Sequence, residues 1–375
     1  MPYSYRSRSF FILTLALLMP SLLVAQNPQD GCEKVRAAID IGSGTTKMTI
    51  ARVDTCYQKV LEVLAPEAGK KLEFPVRYED NIHSSDEKLV FTDEVRKEGI
   101  EALQRFKKRA KQFGADQISA VATSAFRKVK ANNPEFMAGF LSKIKKETSI
   151  LVRIIDQKQE ATIGFLGAYS ARNEEKEDLL AWDIGGGSMQ ITWWDEDSKS
   201  TKSFLGKYAN EDALDHVYHL QNRQRQNRQR SNLNLEKNSP NPVGSEVARR
   251  AVKEFVAQAK NKLPKELLDL IEVRDPQVIG IGGVHFYSNC EVTKRFTPEG
   301  CRFSLEDLIS TINKTAELND RELMEQGHAS SSDFVRYRVI GALLTAGFMR
   351  QLGIEQVQTL QVNMSNGMLL NPEFW

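Results

Sequence analysis

One motif occurs twice in this chain. Ala38-Ile39-Asp40-Ile41-Gly42-Ser43-Gly44-Thr45 returns in outline, 143 residues later, as Ala181-Trp182-Asp183-Ile184-Gly185-Gly186-Gly187-Ser188. In each copy an apolar run ends at a Gly-rich turn, and a second apolar-rich run follows, TKMTIARV or MQITWW. The pattern describes a buried strand, a tight turn and a returning strand. Two copies predict two similar α/β lobes whose turns face a shared cleft. A third Gly-rich turn, in VIGIGGVHF (278–286), ends a strand of the second lobe.

Between the copies strand and helix alternate, as in a sheet with helical cover. Residues 93–113 carry Val95, Ile100, Leu103 and Phe106 at helical spacing, so these face the core and the basic residues face water. ISAVATSAF (118–126) reads as a strand entering a turn, LVRIID (151–156) as a strand, and 158–172 as a helix. Further on, EDLISTINKTAEL and RYRVIGALLTAGFMRQL are helical, VQTLQV is a short apolar segment and MSNGMLL begins a closing helix near the cleft. Residues 221–242 (QNRQRQNRQRSNLNLEKNSPNP) have little to bury and read as a low-complexity surface insertion, either a solvated loop or one whose arginines attract a polyanion. The expected units are a first lobe over 33–175, a second over 176–345 and a C-terminal segment, 346–375, closing onto the cleft.

In residues 1–30, Arg6 and Arg8 precede an uncharged, mostly apolar run, Phe10 to Ala25, and polar residues follow it. This is the order of a secretory signal peptide, residues 1–25, with cleavage after Ala25, and the alternatives are an uncleaved anchor or a buried helix. The run is shorter than the roughly 20 residues of a spanning helix, so no stable membrane span is expected after cleavage. The expected location is secreted or periplasmic, where disulfides persist. A hairpin centred on Gly44 puts Cys32 opposite Cys56, which predicts a Cys32–Cys56 bond, and Cys290–Cys301 would close a short loop. With 41% hydrophobic residues and a formal net charge of +2 the chain is globular and carries no wholesale attraction for nucleic acid, for which it has no recognition motif. A homodimer is compatible with the sequence, though no feature of it requires one.

The chemistry lies in the turns. Glycine leaves backbone N–H groups unobstructed, and several pointing inward make a nest for phosphate oxygens. Gly44, Gly185, Gly186, Gly187, Gly282 and Gly283 are placed for this, with Ser43, Thr45 and Ser188 adding hydroxyls. Asp40 and Asp183 stand at strand ends, one per lobe, where carboxylates can hold Mg²⁺ directly or through its waters. A lone strand-end Asp is often a turn cap; the doubling favours the functional reading. Arg127 would reach phosphate with its planar fork of donors or stand at the surface. Glu160, early in its helix, either favours the helix dipole or orients a water for attack on phosphorus.

Together these segments resemble the exopolyphosphatase and guanosine pentaphosphate phosphatase family, within the actin, sugar kinase and Hsp70 superfamily. The pieces are AAIDIGSGTTKMTIARV, AVATSAFRKVKANNPEF, QEATIGFLGA, LLAWDIGGGSMQITWW, FLGKYA, VIGIGGVHF and RYRVIGALLTAG, in family order over roughly 35–371. The resemblance implies an α/β fold of two ribonuclease H-like (actin-like ATPase) lobes with an interlobe cleft. It also implies a hydrolase that releases terminal phosphate from polyphosphate or another phosphoanhydride with Mg²⁺. It places Asp40, Ser43, Asp183, Gly185, Gly186 and Ser188 at the phosphate and metal site, Arg127 on substrate phosphates, and Glu160 as catalytic base. The chain departs from the family's pattern at Gln157-Lys158-Gln159-Glu160-Ala161-Thr162, at Met189-Gln190, where the family has a carboxylate beside the metal in place of Gln190, at Ser365-Asn366-Gly367 and at Gly282-Gly283-Val284. These departures keep a second expectation open, an exported phosphate- or polyphosphate-binding protein with weak or no turnover.

Overall fold

Each copy of the repeat folds as an antiparallel hairpin. Glu33–Ile41 pairs with Thr46–Asp54, and Leu179–Ile184 pairs with Met189–Asp195. Residues on both faces of their first strands are small or apolar and almost fully buried: Ala37, Ala38 and Ile39 in one, Leu180, Ala181 and Trp182 in the other. Strands buried in this way become the middle of a sheet. The computed structural model describes residues 31–65, 72–171, 175–227, 239–298, 300–332, 334–360, 362 and 364–375. The expected signal peptide therefore lies outside the described residues, among which no helix is long and apolar enough to cross a membrane.

Both sheets repeat one topology. In the first, Glu33–Ile41 has its hairpin partner and then Lys59–Ala65 on one side, both antiparallel, and Gln117–Ala122 followed by Val152–Ile154 on the other, both parallel. In the second, Leu179–Ile184 has Met189–Asp195 and Ser200–Gly206 on one side, and Gln277–Ile281 then Gln356–Leu360 in parallel on the other. Separate apolar cores cover the two sheets. Parallel neighbours bring the C-terminal ends of the central strands, and hence the turns at Gly42 and Gly185, to one edge of each sheet. The fold is α/β with two actin-like lobes, as the resemblance implied.

Several local readings change. The hairpin register pairs Glu33 with Asp54, so its centre falls between Ser43 and Gly44 and Cys32 faces Thr55 rather than Cys56. The predicted disulfide still forms, because Cys56 lies one residue on, in the turn, at a Cα separation of 5.5 Å. Cys290–Cys301 is also bonded, both residues fully buried. The strand at 118–126 stops at Ala122, and Ser124–Asn132 is a helix, so Arg127 sits in its first turn. The β-like apolar run continued into ATSAF, but Thr123 ends the pairing when the strand reaches the sheet edge. The insertion at 221–242 begins within the helix Asn210–Asn227, where Gln221 is buried and donates to the carbonyls of Pro240, Pro242 and Val243. Those bonds tie the two ends of the insertion together; 228–238 lie outside the described residues. The boundary at 345 falls inside the helix Arg338–Leu352, and Gln356–Leu360 belongs to the second sheet.

Two helices join the lobes. Gln157–Ser170 starts at a capping box, where Asp156 accepts from Gln159 N at 2.7 Å and Gln159 accepts from Asp156 N at 3.2 Å. Gln157 then donates to the carbonyls of Met189 and Gly206 in the second sheet. Met364–Leu370 packs on that helix so closely that a Cβ at Gly367 would lie 1.8 Å from Ile163 O.

Candidate functional site

The two Gly-rich turns are built alike and meet face to face. Gly42 N donates to Thr45 O and Gly185 N donates to Ser188 O, each at 2.9 Å, so both turns close with the same bond. A Cβ at Gly186 would meet Ser43 Cβ at 3.3 Å, and one at Gly187 would meet Ser124 Oγ at 2.8 Å. Only residues without side chains let the turns approach this closely. The third turn adds Gly282, whose φ of +82° is a left-handed conformation and whose Cβ would collide with Asp183 Oδ1 at 2.1 Å.

Between the turns lies a cleft of about 400 Å³. Its lining includes Asp40, Ser43, Gly44, Thr45, Glu160, Asp183, Gly185, Gly186, Ser188, Gly282 and Gly283. Three expected residues do not line it. Gly187 packs against Ser124 and Ser43 of the facing lobe, and Gln190 is buried on the strand opposite Asp183, with Nε2 lacking a hydrogen-bond partner among the described residues. Arg127 lies on Glu160 at 2.6 Å and donates to Ile155 O at 3.1 Å, rather than reaching the cleft wall.

Glu160 is held by both lobes, by Arg127 from the first and by the hydroxyl of Ser188, at 3.5 Å, from the second. Burial pushes its carboxyl above the usual range, with the Arg127 charge and the bonds from Arg127 and Ser188 opposing. Burial likewise pushes Asp40 and Asp183 up to about 7. Repulsion from Glu160 adds to both, and from Asp40 to Asp183, while Lys47 opposes. Asp40 Oδ1 has no hydrogen-bond partner among the described residues.

This donor set fits a divalent cation held by one or two carboxylates. An orphaned buried carboxylate oxygen needs a counter-charge, and Asp40 and Asp183 reach the same cleft from opposite lobes. It is not a closed cage. Among the described residues the group of three or more His, Cys, Asp or Glu ligand atoms within 4.8 Å of one another is Cys32, Asp54 and Cys56, whose sulfurs are spent in the disulfide. Waters and substrate oxygens would supply the remaining positions.

The pair has a pH consequence. Between about pH 4 and pH 7 the folded chain keeps protons that unfolded Asp40 and Asp183 have released. Its stability therefore falls as pH rises through that window, unless a cation replaces the protons. Mg²⁺ should raise the thermal midpoint at pH 8 and leave it nearly unchanged at pH 5. Equal shifts at both would remove this pair from the cation site.

Lys47 was not anticipated. It pairs with Asp40 across the hairpin, lines the cleft and lowers the pKa of both aspartates. The hairpin register was its available signal. Ser124, whose Oγ bonds Ser43 Oγ at 2.7 Å, and Tyr287 were also missed, since each reaches the cleft from a helix that the motif does not contain. His285 is buried against Trp182, with its ring pKa lowered to about 3, which makes it a neutral core residue.

Comparisons with known proteins agree with this architecture. The Ppx/GppA phosphatase family model matches residues 71–206. The chain is 29% identical over 161 residues to the bifunctional 3-dehydroquinate synthase/phosphatase of Fusobacterium nucleatum, covering 42% of this chain and 23% of that protein. It is 27% identical over 165 residues to the guanosine-5'-triphosphate,3'-diphosphate pyrophosphatase of Pseudoalteromonas atlantica, covering 44% and 29%. The match thus spans less than a third of either relative's length. The crystal structure of the Aquifex aeolicus Ppx/GppA family member superimposes with a TM-score of 0.66 at 15% identity, covering 90% of this chain and 97% of that one. An exopolyphosphatase from Cytophaga hutchinsonii gives 0.64 at 18%, covering 90% and 98%. At such identity the likeness establishes the fold.

Proposed function

We propose that this chain, a divergent member of the Ppx/GppA phosphatase family, is an exported hydrolase that removes the terminal phosphoryl group of polyphosphate or a related phosphoanhydride. The observation that carries the reading is the pairing of two Gly-rich turns around a buried carboxylate, Glu160, that neither lobe holds alone. The relatives' names agree with phosphoanhydride chemistry.

In this reading the amides of the turns at Gly44, Gly186 and Gly282, with the hydroxyls of Ser43 and Ser188, hold the terminal phosphoryl oxygens. Glu160 accepts a proton from a water whose oxygen forms the new bond to phosphorus, and the bridging oxygen leaves with the electron pair of the broken bond. A raised pKa makes the ionised form of Glu160 a stronger base than a solvated carboxylate, and the Arg127 charge opposes the rise that burial causes. Lys47 and the turn amides offset charge at the transferred group. Mg²⁺, held by Asp40 and Asp183, would supply further charge neutralisation when bound. The export signal, 1–25, and a secreted or periplasmic location belong to the same proposal.

The test is phosphate release from the mature chain with polyphosphate, guanosine pentaphosphate and ATP, each with and without Mg²⁺. Binding without release from any of them would replace the enzyme by a phosphate-binding protein. Gln190 tests the cation shell. It is register-paired with Asp183, so its side chain shares that face of the strand pair. Gln190→Glu should lower the Mg²⁺ concentration for half-maximal release about tenfold, a new charge near the cation being worth of order 1 kcal/mol or more. Higher activity without Mg²⁺ dependence would remove residue 190 from the cation's surroundings.

A further inference from the structure

The cleft has an inner chamber and a differently built mouth. Asp40, Glu160 and Asp183 are buried at its floor, whereas Glu73, Glu79 and Glu211 are half-buried and Asp80 is exposed. These four acids also line the cleft. Among the described residues the lining carries seven carboxylates against three basic side chains. Lys128 and Arg336, which pair with Glu79 at 2.6 Å and Asp80 at 2.8 Å, are not part of the lining, so the acid side of each pair faces inward. The mouth is also tied across. Tyr287 OH of the second lobe donates to both carboxylate oxygens of Glu73 at 2.9 Å, and Arg336 of the second lobe donates to Asp80 of the first.

We infer that this mouth makes the cleft selective for short phosphoanhydrides, of pyrophosphate to triphosphate size and neutralised by divalent cations, and turns away long inorganic polyphosphate. The inference rests on the phosphoanhydride reading above and adds the substrate's length. A short substrate lies within about 400 Å³. A long chain bound by its terminal group must pass outward between Glu73, Glu79, Asp80 and Glu211 with a negative charge on every phosphoryl unit. Like charges on chain and lining repel, and Lys47, Arg77 and Arg338 are outnumbered in the lining by the seven carboxylates. Such a chain must also part the Tyr287–Glu73 and Arg336–Asp80 ties. Glu79 and Asp80 thus act as specificity determinants outside the chemistry.

The experiment compares triphosphate with long-chain polyphosphate as substrates of the mature chain at fixed Mg²⁺ over a range of monovalent salt. Triphosphate should have a kcat/KM at least about tenfold higher per chain end, and the gap should narrow as salt screens the mouth. A cationic track for polyanions would do the opposite, with the long chain favoured at low salt and lost as salt rises. The double variant Glu79→Gln, Asp80→Asn keeps hydrogen-bonding side chains at both positions and should raise the long-to-short ratio about tenfold. Equal or better use of the long chain by the wild type, or a ratio unmoved in the double variant, overturns the inference. If no phosphoanhydride is hydrolysed, the reaction reading fails separately, and calorimetric binding of the same two probes over the same salt series still decides the preference for length.

Discussion

Glu160→Gln should reduce phosphate release by about 10²- to 10⁴-fold, the range of general-base catalysis, while binding of triphosphate changes little. The carboxamide keeps the shape of the side chain and one acceptor for Arg127 and Ser188, but it cannot take a proton from water. Arg127 keeps its bond to Ile155 O, so its guanidinium is not stranded when the charge beside it disappears. The carboxamide loses the charge that faces Arg127, so stability should fall by about 1–3 kcal/mol, the cost of weakening a charge-assisted bond. A variant that unfolds readily yet turns over at the wild-type rate would make Glu160 a residue that positions the helix and nothing more. Kinetics and thermal unfolding on the same preparation separate the two.

The second large effect is expected at Gly282. Gly282→Ala should lower activity at least about 100-fold and cost about 2 kcal/mol of stability. The backbone there has φ of +82°, and the added methyl would stand 2.1 Å from Asp183 Oδ1 and 3.1 Å from Ile184 O. Asp183 itself must move, and with it one of the two carboxylates that face the cleft from opposite lobes. Circular dichroism establishes whether the variant is folded, and Mg²⁺ titration of its unfolding midpoint reads the carboxylate pair directly. Near-normal activity with a folded chain would take Asp183 out of the site.

Much of this was readable along the chain because it depends on local pattern. Apolar periodicity placed Val95, Ile100, Leu103 and Phe106 on the buried face of one helix, and all four are buried. The doubled Gly-rich turn predicted two lobes, and both turns close with the same hydrogen bond. Pattern misled where a chain-local signal ended before the structure did. ATSAF continues an apolar run, but the sheet ends at Ala122 and the chain turns into a helix. Gln221 opens a stretch that composition marks as surface, yet its side chain is buried and carbonyls of Pro240, Pro242 and Val243 across the neck of the insertion accept from its amide.

The sequence by itself determined which backbone could come close to phosphate. Strand, glycine turn and returning strand are dictated by residues within ten positions of one another, and glycine's lack of a Cβ acts wherever the turn lies. Only the tertiary structure decided what surrounds that backbone. Arg127 is 33 residues from Glu160 and pairs with it because the helices that carry them both start where two neighbouring parallel strands end. Tyr287 meets Glu73 because the lobes close over the cleft. Contacts of this kind depend on how whole elements pack, and charges brought together by packing shift one another only after water has been removed.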